Sequence, residues 1–272
     1  MAGHRDFAGQ LENFRREAEA VAQYVYADMS VQHAASKSRK LLNRLNRTPG
    51  FWLVHGAACQ AAAYVALGRV FDKTSKYNIG ALLDAYEASQ ATFSRSALAT
   101  RKRDGQLADP SWLPDYLDRA YYPTKSDAQY LRRRVETYRA IFDRAIKPAR
   151  NKYLAHRERV GHVPVQALFS RGMVRDIWRL STFLLALHEA LWQLFHNGRK
   201  PVLRKVRYSV KTIYDSESQG TSPHEYITGQ TKKLLKFLAS ATPNNTLERA
   251  VRHRGPRLAA ARSSVPAAQL NR

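Results

Sequence analysis

The chain has 272 residues, 44% of them hydrophobic, and a formal net charge of +23 at pH 7. The apolar fraction is sufficient for a sizeable core and excludes a wholly disordered protein. The charge favours polyanionic partners, RNA or DNA above all. A single cysteine excludes an internal disulfide and a cysteine-based metal cluster.

The first predicted element is an amphipathic helix from about Asp6 to Ser38. Apolar side chains recur there at intervals of three and four residues, with charged side chains between them. The residues before it contain no apolar signal core. We therefore expect no secretion signal and a cytoplasmic location.

The second long helix is predicted over residues 51–72, where Pro49 suits its first turn. The segment is apolar, Ala-rich and long enough for a membrane span. His55, Gln60 and Arg69 lie in or near it, and its hydrophobicity is modest. We therefore interpret it as a helix buried in a bundle and expect no membrane partner.

A short helix is predicted over residues 79–91. Residues 92–124 are predicted to connect two core helices and to contain one or two short helices, one of which starts at Asp109-Pro110.

The third long helix is predicted to begin near Ser126-Asp127. Its apolar seam has the 4-3-4-3-4 spacing that faces a neighbouring helix; it consists of Leu131, Val135, Tyr138, Phe142, Ala145 and Ala149. Pro148 predicts a kink or restart within it.

The fourth long helix is predicted over residues 170–197, with Gly198 as its stop. Its apolar residues repeat every three and four positions: Met173, Ile177, Leu180, Leu184, Leu187, Leu191 and Leu194. Beyond it, residues 199–272 hold 15 Lys/Arg and 4 Asp/Glu. One more helix is predicted over residues 223–239, with Ile227, Leu234, Leu235 and Leu238 on one side.

The predicted fold is all-α, without strands or internal repeats. We predict three regions: a helical bundle over 6–198, a basic extension with one helix over 199–241, and an Arg-rich tail over 242–272 that we expect to be disordered. The basic runs at Arg132-Arg133-Arg134 and over 199–211 are candidate contacts for an RNA backbone.

The candidate catalytic residues lie in the heptapeptide Arg150-Asn151-Lys152-Tyr153-Leu154-Ala155-His156. Imidazole moves protons near neutral pH, so His156 can act on the ribose 2′-OH or the departing 5′-oxygen. A guanidinium binds phosphate and stabilises charge at phosphorus, the role of Arg150, while Asn151 orients either group. Such a site cleaves RNA without a metal or cofactor. A single histidine predicts that two copies meet in a homodimer.

The same residues also have a purely structural interpretation. His156 would then be a histidine at the edge of the core, and Arg150 a solvated charge. Asp143, seven residues before Arg150, either orients that arginine or forms a surface ion pair. The sequence contains no Gly-rich phosphate loop, no HExxH motif and no metal-ligand cluster.

RNKYLAH, late in a long helix and followed by another apolar helix, resembles the Arg-x(4–6)-His signature of the HEPN superfamily. The segment ALGRVFDKTSKYNIGALL, Ala66 to Leu83, resembles a stretch that precedes this signature in the AbiU-type abortive-infection branch. The resemblance rests on these two segments and extends over about residues 10–197. It implies an antiparallel four-helix bundle with extra short helices and a basic C-terminal extension.

The resemblance further implies a metal-independent endoribonuclease of phage defence or toxin–antitoxin systems. Arg150, Asn151 and His156 would form its catalytic site at a homodimer interface, and an antitoxin or another regulatory protein would be a partner. Pro148 just ahead of the motif and the long extension after 198 depart from the pattern. Some HEPN proteins are inactive, so a module that only binds RNA or a protein partner is the alternative. A plain helical interaction protein is a third interpretation.

Overall fold

The computed structural model describes residues 6–75, 78–103, 109–151, 174–204, 209–216 and 220–241. These residues form helices and turns, with no strand among them. The helices are α1 (Phe7–Lys37), α2 (Arg39–Leu45), α3 (Pro49–Phe71), α4 (Ile79–Ala88), α5 (Arg95–Arg103), α6 (Leu113–Arg119), α7 (Lys125–Ala145), α8 (Lys147–Ala149), α9 (Val174–Asn197), α10 (Val210–Asp215) and α11 (Pro223–Ser240), with a 3-10 turn at Gln90–Phe93. The predicted all-α class is confirmed.

The main core lies between the long helices α1, α3, α7 and α9, with α4 added to it. Every described residue of the predicted seams in α7 and α9 is buried, because their spacing keeps one apolar stripe on the core side. Tyr138 of α7 stacks on Phe183 of α9 at 3.9 Å between ring centroids. Phe71, the last residue of α3, stacks on Phe142 of α7 at 5.3 Å. This second contact fixes the end of α3 against the end of α7.

Local sequence signals determine where the helices begin and end. Thr124 and Asp127 form a capping box at the start of α7. Pro148 lacks an N–H, and α7 accordingly ends at Ala145, before the short α8. Gly198 ends α9 with a positive φ of 52°, which favours glycine. The expected restart at Pro148 and stop at Gly198 are both confirmed. The helix expected to start at Asp109-Pro110 begins instead at Leu113, after a turn.

Helix α3 is buried over only part of its length. From Ala63 onward it lies in the core, whereas Phe51, Leu53 and Val54 are exposed. The expectation of a helix buried in the bundle is therefore wrong for its first half, because composition does not tell which turns have a neighbour. Among the described helices, α3 alone has the length and apolar composition of a membrane span.

Helices α10 and α11 pack on the bundle. Helix α11 lies along α1 and contacts α2, with Leu235 buried between them. Thr228 of α11 faces Ser30 of α1 in the same contact. Leu234, predicted to share one side with Leu235, is 51% exposed, whereas Leu235 is buried. The boundaries at 198/199 and 241/242 stay predictions, and the predicted tail, 242–272, lies outside the described residues.

Candidate active site

Arg150 lies at the end of the short turn that follows α7. The Pro148 restart keeps this turn helical, and the Arg150 N–H donates to the carbonyl oxygen of Ile146 at 3.0 Å. Because α7 is fixed on the core as far as Ala145, the turn holds Arg150 beside the C-terminal end of α3.

The guanidinium of Arg150 forms an ion pair with Asp72. Its Nη1 donates to Oδ2 of Asp72 at 2.9 Å, and both side chains are less than one third exposed. This hydrogen bond lowers the pKa of the Asp72 carboxyl, and the Thr74 backbone N–H contributes to the same shift. Asp72 therefore stays charged at neutral pH. Its own N–H donates to the Gly68 carbonyl at 2.9 Å, which fixes it at the end of α3.

Gly68 provides the surface on which Arg150 lies. A Cβ on this glycine would overlap Nε of Arg150 and lie 2.8 Å from its Cζ. The guanidinium therefore packs directly on the backbone of α3, where every larger residue would displace it. Gly68 and Asp72 are four residues apart on one face of α3, so a single helix both supports and orients the arginine.

Asn151 completes the described part of the site. Its side-chain Oδ1 accepts a hydrogen bond from Nη1 of Arg150 at 3.3 Å, and the side chain is half-buried. The structure thus brings Arg150 and Asn151 together as predicted. His156 lies outside the described residues, so its distance from Arg150 stays a prediction.

The carboxylate that orients Arg150 is Asp72 and not Asp143. Asp143 is 46% exposed and pairs with Lys147 at 3.1 Å, which matches its interpretation as a surface ion pair. Sequence reasoning assigned no role to Asp72 or Gly68, although both belong to the segment Ala66 to Leu83. Their position in that segment was the signal that could have identified them.

In this arrangement the Arg150 guanidinium is held in a position from which it can bind an anionic group. Within the described part of the chain, both hydrogen bonds of the guanidinium use Nη1, while Nε lies against α3 and Nη2 makes none. Nη2 can donate to a phosphate oxygen while Asp72 holds the group in place. Across the described ranges, no cluster of His, Cys, Asp and Glu is arranged to hold a metal ion.

Comparison with known proteins gives one family. The family model HEPN_AbiU2, described as AbiU2, matches residues 5–213, which include α1, α3, α7, α9 and the candidate site. No curated protein and no solved structure matches the chain. The match covers more than half of the sequence and confirms both the family resemblance and the HEPN-like helical fold. The chain therefore belongs to the AbiU2 family and is a HEPN module of the abortive-infection type.

Proposed function

We propose that the protein is a metal-independent endoribonuclease that acts in phage defence or toxin–antitoxin biology. The observation that carries the proposal is the Arg150 guanidinium, held on Gly68 by Asp72 where the Arg-x5-His motif begins. A cation fixed before the substrate arrives stabilises charge in the transition state without a reorganisation cost. Because the proposed substrate is intracellular RNA, we also propose a cytoplasmic location.

In the proposed reaction, the ribose 2′-oxygen attacks the adjacent phosphorus and the bond to the 5′-oxygen breaks. One histidine removes the proton from the 2′-OH, and another protonates the leaving 5′-oxygen. Arg150 stabilises the negative charge on the phosphoryl oxygens, and Asn151 holds the guanidinium in orientation. The products are a 2′,3′-cyclic phosphate and a 5′-OH. Since each chain supplies one His156, the acid and the base come from two copies in a homodimer.

The test uses labelled single-stranded RNA in EDTA with end-group analysis. We expect the wild-type protein to cleave and to leave 2′,3′-cyclic phosphate ends, and His156→Ala and Arg150→Ala to lose activity at least about 100-fold. Asp143→Asn serves as the matched control, because it removes a nearby carboxylate that does not contact Arg150. Equal cleavage by all four proteins would point to a contaminant and contradict the assignment.

A module that binds RNA or a regulatory protein without cleavage is the second candidate. The observation in its favour is the ion pair itself, because Asp72 already compensates the charge of Arg150 as a purely structural pair would. This candidate predicts no cleavage by any form and equal RNA binding by wild type, His156→Ala and Arg150→Ala. Co-purification of an antitoxin that blocks cleavage would instead support a regulated nuclease.

A further inference from the structure

We propose that Arg139 and the N-terminus of α4 bind an RNA phosphate, a few nucleotides along the strand from the phosphate held by Arg150. The proposal deepens the proposed function, since it rests on RNA as the ligand. It assigns this part of the surface a role in positioning the substrate that is separate from the chemistry at Arg150.

Arg139 is a buried guanidinium with incomplete charge compensation. It lies on α7 and is only 9% exposed, and its Nε is buried without a hydrogen-bond partner. In the described part of the chain its ion-pair partner is Glu136, at 3.3 Å, and that side chain is 64% exposed. A solvated carboxylate one turn away gives weak stabilisation, whereas a buried charge needs strong partners. An anion that reaches the outer part of the guanidinium would be a stronger partner than Glu136.

The guanidinium of Arg139 is directed at the start of α4. Its Nη2 lies 4.0 Å from the position that a Cβ on Gly80 would occupy. The N-cap residue Asn78 accepts from the Ala81 N–H, but the N–H groups of Ile79 and Gly80 have no partner among the described residues. A helix N-terminus carries partial positive charge and binds phosphate through such free N–H groups. Two positive groups that face each other favour an anion between them.

Arg132 is a second arginine between α4 and α7, and its ion pairs give it a structural role. It lies two turns before Arg139 on the same face of α7 and binds Asp84 at 2.8 Å and Glu87 at 2.7 Å. The C-terminal half of α4 thus provides two carboxylates for Arg132. The N-terminal half provides none for Arg139. Arg139 is therefore not required as an ion pair to join α4 to α7.

The two arginines are separated by a distance that fits one RNA strand. Arg139 and Arg150 are eleven residues apart, which at the rise of an α-helix corresponds to about 16 Å. Both lie beside the connection from the end of α3 to the start of α4, since Arg150 contacts Asp72 and Arg139 approaches Gly80. A strand that contacts both the end of α3 and the start of α4 passes both guanidinium groups within a few nucleotides.

The experiment measures RNA binding in a His156→Ala background, so that the result does not depend on catalysis. Addition of Arg139→Gln is expected to weaken binding of a labelled single-stranded RNA about tenfold and to reduce the salt slope by about 0.7. Addition of Arg95→Gln, which also removes one positive charge but at an arginine ion-paired to Asp118, is the matched control and is expected to leave affinity within about twofold. Circular dichroism verifies the fold of each variant. Equal effects of the two substitutions, or no effect of Arg139→Gln, would overturn the proposal.

A second measurement does not require the Arg139 variant to fold. Single methylphosphonate substitutions, which neutralise one phosphate at a time, are scanned along the RNA bound to His156→Ala. Two sensitive phosphates a few nucleotides apart are expected, and adding Arg150→Ala should abolish sensitivity at one of them only. A single sensitive phosphate would refute the Arg139 site. If wild type cleaves no RNA while both sensitive phosphates are found, the nuclease proposal fails and the phosphate site stands.

Discussion

The candidate site depends on contacts between individual residues that are far apart in sequence. Arg150 and Asn151 were found from the motif because its residues are neighbours in the chain. Asp72 and Gly68 were not, because 78 residues separate Asp72 from Arg150 and no periodicity links them. Residue spacing predicts which side chains share a helix face. It does not predict which loop end a long arginine will contact.

At this scale we predict that Gly68→Ala inactivates the protein without unfolding it. The added methyl group overlaps the guanidinium of Arg150, which must move off the backbone of α3 and away from its position beside Asp72. Displacement of a catalytic group by about 1 Å lowers the rate about 100-fold. The measurement is single-turnover cleavage of labelled RNA, with thermal unfolding recorded in parallel.

Gly50→Ala is the control for this substitution. Gly50 lies in the same helix, and nothing lies within 4 Å of the position where its Cβ would be. We expect it to retain wild-type cleavage. Full activity of Gly68→Ala would show that the contact between Arg150 and α3 is irrelevant to catalysis.

At the scale of elements, the helices and their buried faces were largely predictable from periodicity. The seams of α7 and α9 were identified correctly because both helices are amphipathic and face one core. The first half of α3 was not, because its apolar residues do not recur at a helical interval that marks one face, and periodicity therefore gives no direction. Leu234 was misplaced for a related reason: the pattern of α11 allows several faces, and its contact with α1 and α2 selects one.

The contact between α9 and α1 predicts a pH dependence of stability. Burial lowers the pKa of His188 on α9 from 6.5 to about 4, and the nearby charge of Arg15 on α1 contributes. The folded state therefore favours neutral imidazole. Stability is fully present above pH 6.5 and is lost as the pH falls toward 4, by up to about 3 kcal/mol.

Chemical denaturation between pH 7.5 and 4.5 tests this prediction. The wild type should lose stability across the range, and His188→Gln, which cannot titrate, should show a flatter profile. Parallel profiles for the two proteins would mean that His188 has no part in the acid sensitivity. Glu12 remains charged throughout the range, because its hydrogen bond with Arg15 lowers its pKa to about 2.

At the scale of the whole molecule, the net charge of +23 favours a polyanionic ligand, whereas the single candidate histidine predicts a homodimer. A charge of this sign attracts polyanions over long distances, so the proposed binding of RNA should depend strongly on salt. The same charge makes two copies repel each other. A homodimer must therefore gain its stability at a surface with little charge. Composition favours a polyanionic ligand, which stays a prediction, and it contains no information on which surface two copies would share.

If the active site needs a histidine from each of two copies, an inactive copy should inactivate its partner. Wild-type protein is mixed with an excess of His156→Ala under conditions that allow subunit exchange. We expect RNA cleavage per wild-type chain to fall, because a mixed dimer holds one His156 and lacks the second histidine that the proposed reaction requires. Wild type diluted to the same concentration without the variant is the control. Unchanged cleavage per wild-type chain, despite subunit exchange shown by native mass spectrometry, would mean that each chain works independently.

The close contact of Arg150 with Gly68 also has an evolutionary consequence. The two positions are sterically coupled, since a side chain at 68 and an arginine packed at 150 require the same space. Substitutions at these positions should therefore be correlated among relatives. A homologue with a larger residue in place of Gly68 should tolerate loss of the arginine, and such a pair of changes would identify, from sequence alone, members of the family that have lost this site.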